Sequence, residues 1–188
     1  MSGHSGKNKA FFFDRDGIVN VRIPGDYIKK ITEFVFIEEF FEILTLIKRN
    51  EYLAILITNQ QGIGKNLMSE PALDRIHDYM QLELMDKCGY CFDDIYYCPD
   101  LKDSGSFRRK PQPGMFLEAI DKWNISPEKS FLIGDSESDA IAAKKVNVTT
   151  ILIGWHEKKI PEADYIFPDI IMAHAFLTDY FKSKKIIQ

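Results

Sequence analysis

The run Lys9-Ala10-Phe11-Phe12-Phe13-Asp14-Arg15-Asp16-Gly17 sets the architecture of this chain. Lys9–Phe13 is short, apolar and aromatic, and it stops abruptly in charge. A run of that kind, without polar alternation, predicts a strand buried on both faces with a loop at its C-terminal end. Downstream, Phe40, Phe41, Leu44 and Ile47 recur at helical spacing and predict a helix over Glu38–Arg49. Tyr52–Ile57 predicts a second buried strand, again ending in polar residues, Thr58-Asn59-Gln60. Ser69 is placed to cap a helix carrying Leu73, Ile76, Met80 and Leu84.

The alternation continues to the end of the chain. Asp94–Cys98 reads as strand, Gly114–Trp123 as helix, Ser130–Ile133 as strand, Glu137–Val146 as helix and Thr149–Ile153 as strand. Asp164–Phe167 reads as an edge strand and Ile170–Lys182 as a closing helix. Strands alternating with helices imply right-handed crossovers and an α/β fold, a Rossmann-like parallel sheet with helices on both faces. Ligands in such sheets bind beyond the carboxyl ends of the strands. The longest irregular stretch inside the fold is Pro99–Pro113, and loops of that length are often functional.

Composition narrows the classes. A chain of 188 residues, 45% hydrophobic, suits one domain with a real core, expected over residues 9–188 behind a disordered tail at residues 1–8. No apolar run approaches the roughly 18–20 residues that cross a bilayer. The apolar run behind the polar N-terminus stops at Asp14, too early for a secretory signal. A net charge of −4 argues against nucleic acid as partner. Three cysteines, Cys88, Cys91 and Cys98, do not make a disulfide framework. A cytoplasmic protein without membrane or nucleic-acid partners, monomeric, is the expectation.

The strand ends carry the chemistry. Asp14 and Asp16 follow the first strand, Thr58 and Asn59 the second, and Asp135 the fourth, with Asp139 one helical turn on; Arg108-Arg109-Lys110 lies in the long loop. Singly, each has an ordinary explanation: a solvated turn, a cap, a charge run. Their convergence on one rim fits phosphoryl transfer. A carboxylate can attack phosphorus to give an aspartyl-phosphate. That brings an anion toward a dianion, so a carboxylate-held divalent cation and a lysine must neutralise charge. Magnesium is the natural ion for oxygen ligands and phosphate. A second acid protonates the leaving oxygen and later activates water, which calls for a raised pKa near neutral pH.

The set Asp14-x-Asp16-Gly17, Thr58-Asn59-Gln60, Lys110-Pro111 and Gly134-Asp135-x-x-x-Asp139 resembles the four motifs of the haloacid dehalogenase-like (HAD) phosphatases, in their order. Phe12–Gly17, Tyr27 with Phe34–Ile37, Thr58–Gly64, Tyr96–Pro99 and Arg109–Met115 are similar to the subgroup acting on heptose bisphosphate and histidinol phosphate. The resemblance implies Asp14 as nucleophile and Mg2+ ligand. It implies Asp16 as general acid/base, ligating through its carbonyl, and Asp135 as the further metal ligand, with Asp139 in support. Thr58 and Lys110 would stabilise the transferring group, and Asn59, Gln60, Gln61, Arg109 and Lys110 would bind substrate. The substrate would be a small phosphate ester. The Pro-Gly-Met ending of the third motif leans toward the 7-phosphate of D-glycero-D-manno-heptose 1,7-bisphosphate, with histidinol phosphate or another small phosphomonoester as the alternative. No segment is long enough for a separate cap domain, so an open site is expected.

The chain also departs from the family pattern. Asp100, Ser106 and Arg108 stand where three of four zinc ligands would be; Cys98 alone remains, and no structural zinc is expected there or at Cys88 and Cys91. Ser136 stands where a substrate-contacting lysine is frequent, and Arg22–Asp26 is longer and carries a proline. A receiver-type phospho-acceptor domain is the rival of a different class. Its acceptor aspartate follows a central strand, whereas Asp14 follows the first, and the second acid here has a hydrolytic task. A silent binding module is a third reading, against which the intact acids, Thr58 and Lys110 weigh.

Overall fold

The computed structural model of the chain describes residues 7–156 and 158–186. Six strands form one parallel sheet: β1 (Ala10–Phe13), β2 (Leu53–Asn59), β3 (Asp94–Cys98), β4 (Phe131–Gly134), β5 (Thr149–Ile153) and β6 (Tyr165–Phe167), in the order β3-β2-β1-β4-β5-β6. Five helices connect and close it: α1 (Glu39–Arg49), α2 (Glu70–Cys88), α3 (Gly114–Trp123), α4 (Glu137–Lys144) and α5 (Ile170–Ile186).

The period-two alternation of a strand explains why both faces are covered. Phe11 and Phe13 of β1, Ala54 and Leu56 of β2 and Phe131 and Ile133 of β4 point to one side, against α1, α2 and α5. Ala10, Phe12, Ile55, Ile57 and Leu132 point to the other, against Met115, Phe116 and Ala119 of α3 and Ala142 and Ala143 of α4. The first face is stacked with rings; Phe11 lies 4.8 Å from Phe131 and Phe13 lies 5.3 Å from Phe40, centroid to centroid.

Several boundaries differ from the sequence reading, each for a pairing reason. β2 runs on through Thr58 and Asn59 because these pair with Tyr97 and Cys98 of β3. β4 is shifted by one residue, since Gly134 pairs with Leu152. α4 stops before Val146, and Asn147 follows in a left-handed conformation with φ of 59°. α5 extends past Lys182. Two single-turn 3-10 helices, Ile31–Glu33 and Pro127–Lys129, were too short to leave a periodic signal.

Most of the tail expected over residues 1–8 lies outside the described residues. Its last member, Asn8, is instead tied down: its amide donates to Asn124 O at 2.9 Å and its carbonyl accepts from Ser126 N at 2.8 Å.

The strand order places the site. β1 lies between β2 and β4, where the chain reverses its direction of progress across the sheet, and loops diverging from such a point leave a crevice. The first strand in sequence is therefore central in space. Its place in sequence does not by itself separate this chain from a receiver-type domain; the order 3-2-1-4-5-6 does, because flavodoxin-like sheets run 2-1-3-4-5. The described residues form no separate cap over this crevice. Between β1 and α1 the chain makes a small folded arm, in which Asn20 bridges Asp16 and Phe36. No helix of the described residues is long and apolar enough to cross a membrane.

Candidate active site

Asp14 leaves β1 at the crevice, its amide donating to Ile133 O of β4 at 3.0 Å. It is nearly buried, and so is Lys110, although the lysine comes from the long irregular loop. The Lys110 ammonium is held by three acceptors. It lies 2.8 Å from Asp14 Oδ1, 2.7 Å from Ile57 O and 2.5 Å from Asp139 Oδ1. Burial alone would drive the lysine toward neutrality, but Asp139 and Asp14 outweigh it and raise its pKa, so it stays charged. Burial raises the pKa of Asp14; Lys110 opposes this and Asp139 adds to it, and the balance is upward.

Asp139 is fully buried at the third position of α4. It accepts from the Ser136 amide at 3.1 Å and from the Ser136 hydroxyl, which closes a capping box. The same carboxylate thus starts a helix and anchors the lysine. Gly134 makes this approach possible, because a Cβ there would lie 2.7 Å from Asp139 Cβ.

Asp16 faces a different set of groups. Arg15, entirely buried, donates to both Asp16 oxygens at 3.1 Å and to Gln60 Oε1 at 3.2 Å, and lies 3.3 Å from His77 Nε2. Asn20 Nδ2 and Gln60 Nε2 donate to Asp16 at 2.9 and 3.0 Å. Burial would raise the Asp16 pKa, but the Arg15 charge and these donors hold it below the usual carboxylate value. This corrects the expectation of a raised pKa. In this orientation Asp16 is held ionised, its oxygens accepting from Arg15, Asn20 and Gln60. The imidazole of His77 is pushed down to about 3, by burial first and by Arg15 second, and accepts from Arg15 as a neutral ring.

The donor set for a divalent cation is present. Asp14, Asp135 and Asp139 each offer a carboxylate oxygen, and these lie within 4.8 Å of one another. Asp135 is pushed up to about 7, by burial first and then by the charge of Asp14, as expected where carboxylates crowd without enough positive charge. Gly17 makes room for it: its φ is +100°, and a Cβ there would lie 2.1 Å from Asp135 Oδ2. A cationic group already lies on this set. Arg22 Nη2 is 2.8 Å from Asp135 Oδ1 and 3.1 Å from the Asp16 carbonyl. Hard oxygen donors crowded around a position that attracts a cation fit magnesium.

A cavity of about 510 Å³ opens onto these groups, lined among others by Asp14, Asp16, Thr58, Arg109, Lys110 and Arg22. Gln61 lies on its wall, as do Tyr27, quoted above only as part of the family resemblance, and Lys65, which the sequence did not single out. Two side chains expected to bind substrate have hydrogen-bond partners within the protein. Gln60 is not on the cavity wall; it is buried, and its amide bridges Asp16 to the Thr58 hydroxyl at 2.9 Å. Asn59 reaches the cavity, but its amide pairs twice with the Lys110 backbone, at 3.0 and 3.1 Å, and so fixes the lysine. Arg109 is steadied by Asp100 O at 2.9 Å, while Arg108 turns outward to Glu118. The supporting residues Arg15, Asn20 and His77 carried no spacing signal that would have found them. Arg22 lay in a segment marked for its length and its proline.

The thiols have local partners. Cys98 Sγ is 3.4 Å from Asp100 Oδ2 and 3.7 Å from Ser106 Oγ, and Cys88 Sγ donates to Leu84 O at 3.1 Å.

Comparison with known proteins places these features in a lineage. Residues 107–174 match the HAD-hydrolase-like family model. The chain is 36% identical over 173 residues to the D-glycero-beta-D-manno-heptose-1,7-bisphosphate 7-phosphatase of Pasteurella multocida, covering 86% of this chain and 92% of that one. It is 38% identical over 154 residues to the D-glycero-alpha-D-manno-heptose-1,7-bisphosphate 7-phosphatase of Burkholderia mallei, covering 78% and 80%. Among solved structures it is similar to the D,D-heptose 1,7-bisphosphate phosphatase of B. bronchiseptica complexed with magnesium and phosphate. There the TM-score is 0.83 at 25% identity, over 92% of this chain and 99% of that one.

Proposed function

The chain belongs to the HAD-like phosphatases, in the family of the heptose-1,7-bisphosphate 7-phosphatases, and from that membership we propose that this phosphomonoester hydrolase removes the 7-phosphate of D-glycero-D-manno-heptose 1,7-bisphosphate. The observation that carries the chemistry is the contact of Asp14 with the Lys110 ammonium at the floor of an open cavity.

The chain's own groups divide the reaction. Asp14 attacks phosphorus, and the bond to the sugar oxygen breaks; that oxygen takes a proton from Asp16, leaving an aspartyl-phosphate. To do this Asp16 first leaves Asn20 and Gln60 and takes up a proton, since its present donors keep it ionised. As a carboxylate again, Asp16 accepts a proton from water, which attacks phosphorus. The bond to Asp14 then breaks and phosphate departs. The Lys110 ammonium and the Thr58 hydroxyl offset charge on the phosphoryl oxygens. Mg2+, held by Asp14, Asp135 and the Asp16 carbonyl, would add a double positive charge where attacking and attacked groups are both anionic. Asp139 holds Lys110, and Arg109 and Gln61 on the cavity wall face the sugar. Structural zinc is no part of this reading, because the Cys98 thiol has Asp100 and Ser106 as neighbours rather than further thiolates. The enzyme works as a cytoplasmic monomer of one domain, on a small ester and without nucleic acid or membrane.

Phosphate release with MgCl2, compared as kcat/KM, tests both parts. Heptose 1,7-bisphosphate should exceed histidinol phosphate and an aryl phosphate; parity with histidinol phosphate would overturn the substrate. Asp14→Asn should lower release about a thousandfold or more on every ester, and an undiminished rate would remove Asp14 from the mechanism.

A further inference from the structure

We infer that Arg22 is an exchangeable occupant of the divalent-cation site: its guanidinium holds two of the donors, the Asp16 carbonyl and Asp135 Oδ1, that the ion itself takes. The inference rests on the metal reading above. A single nitrogen, Nη2, spans both oxygens, at 3.1 and 2.8 Å. An ion ligated by these same two oxygens would therefore compete with Arg22 for them.

Charge decides the direction of exchange. When all three are ionised, Asp14, Asp135 and Asp139 bring three negative charges against the one positive charge of Lys110, an excess of two. A dication cancels both, whereas Arg22 cancels one. Of the two resident cations, only Arg22 is free to leave. Lys110 is enclosed by Asp14, Asp139 and Ile57 O. The Arg22 side chain is 51% exposed, and its hydrogen bonds among the described residues are these two. Its segment is exposed from Val21 to Asp26 except for half-buried Ile23, and Gly25 has nothing within 4 Å of a Cβ position. The side chain can therefore swing aside without unpacking the core. In this way the protein keeps its crowded carboxylates partly neutralised while metal is absent, and metal binding carries the cost of displacing an ion pair.

Isothermal titration with MgCl2 of the full chain, freed of metal by chelation and dialysis, tests the exchange. Arg22→Gln should tighten Mg2+ binding about three- to tenfold, since no internal cation then competes. Arg22→Lys, which keeps the charge but reaches the oxygens with a different head, should fall between the variant and wild type. Lys65→Gln removes an equal charge from the same cavity wall without touching the donors, and should shift affinity less than about twofold. Unchanged or weaker binding in Arg22→Gln would overturn the exchange, as would an equal gain in Lys65→Gln. If neither wild type nor Arg22→Gln bound Mg2+, the metal reading itself would fall, an outcome distinct from two equal, measurable affinities.

Discussion

At the scale of single residues, the site is an arrangement of buried charges that depend on one another. Lys110 illustrates this, since it is the internal countercharge of Asp14 and Asp139. Lys110→Met would leave two buried carboxylates facing each other, and removing one partner of such a cluster costs about 3–5 kcal/mol. Urea denaturation should show that loss alongside lost phosphate release; a variant as stable as wild type would mean the carboxylates find another cation. His77 supplies a second case. Its pKa is about 3 in the fold against 6.5 when unfolded. Between those values the unfolded chain binds the extra proton, so stability is full above 6.5 and falls as the pH drops toward 3. From pH 7.5 to 5.5 this one group should cost about 1.4 kcal/mol. Urea unfolding of His77→Gln at both pH values should show a gap smaller by about that amount, and an unaltered gap would place the proton elsewhere.

At the scale of elements, the geometry of the site depends on a close approach between a strand end and the helix that follows. β4 hands over to α4 through Gly134-Asp135-Ser136, and Asp139 then folds back over Gly134 to reach Lys110. Gly134→Ala would set a methyl group 2.7 Å from Asp139 Cβ and push α4 away from the sheet. Overpacking of this sort costs about 1–3 kcal/mol. A lowered thermal midpoint with an impaired kcat is the expected result, and wild-type values for both would show that the turn yields. The elements themselves were legible in sequence because burial leaves a period. Unbroken apolar runs marked β1 and β2, and i, i+3, i+4 spacing marked α1. The ends of β2 and β4 were less so, because Thr58 and Gly134 join the sheet by backbone pairing with a neighbour. Their residue types advertise a turn.

At the scale of the whole molecule, the sheet order brings the ends of β1, β2 and β4 into one crevice, with no separate cap among the described residues, so stability and ligand binding are linked through a single fold. Mg2+ that binds only the folded chain should stabilise it by about 2.7 kcal/mol at a hundred times its dissociation constant. For a chain of this size that is a rise of about 5–10 °C in thermal midpoint. A melting curve unmoved by saturating Mg2+ would contradict the donor set.

The amino-acid order alone determined that strands alternate with helices, that the sheet is parallel, and that Asp14, Thr58 and Asp135 stand at strand ends. Each of those follows from local burial patterns and short motifs, which a linear chain states directly. Only the folded molecule decided that Gln60 turns inward to bridge Asp16 and Thr58, that Asn59 clamps the Lys110 backbone, and that Arg22 reaches Asp135 across 113 positions. Such contacts depend on which of several similar charged or amide side chains comes within hydrogen-bond distance once distant segments have closed on one another, and no local pattern encodes that choice.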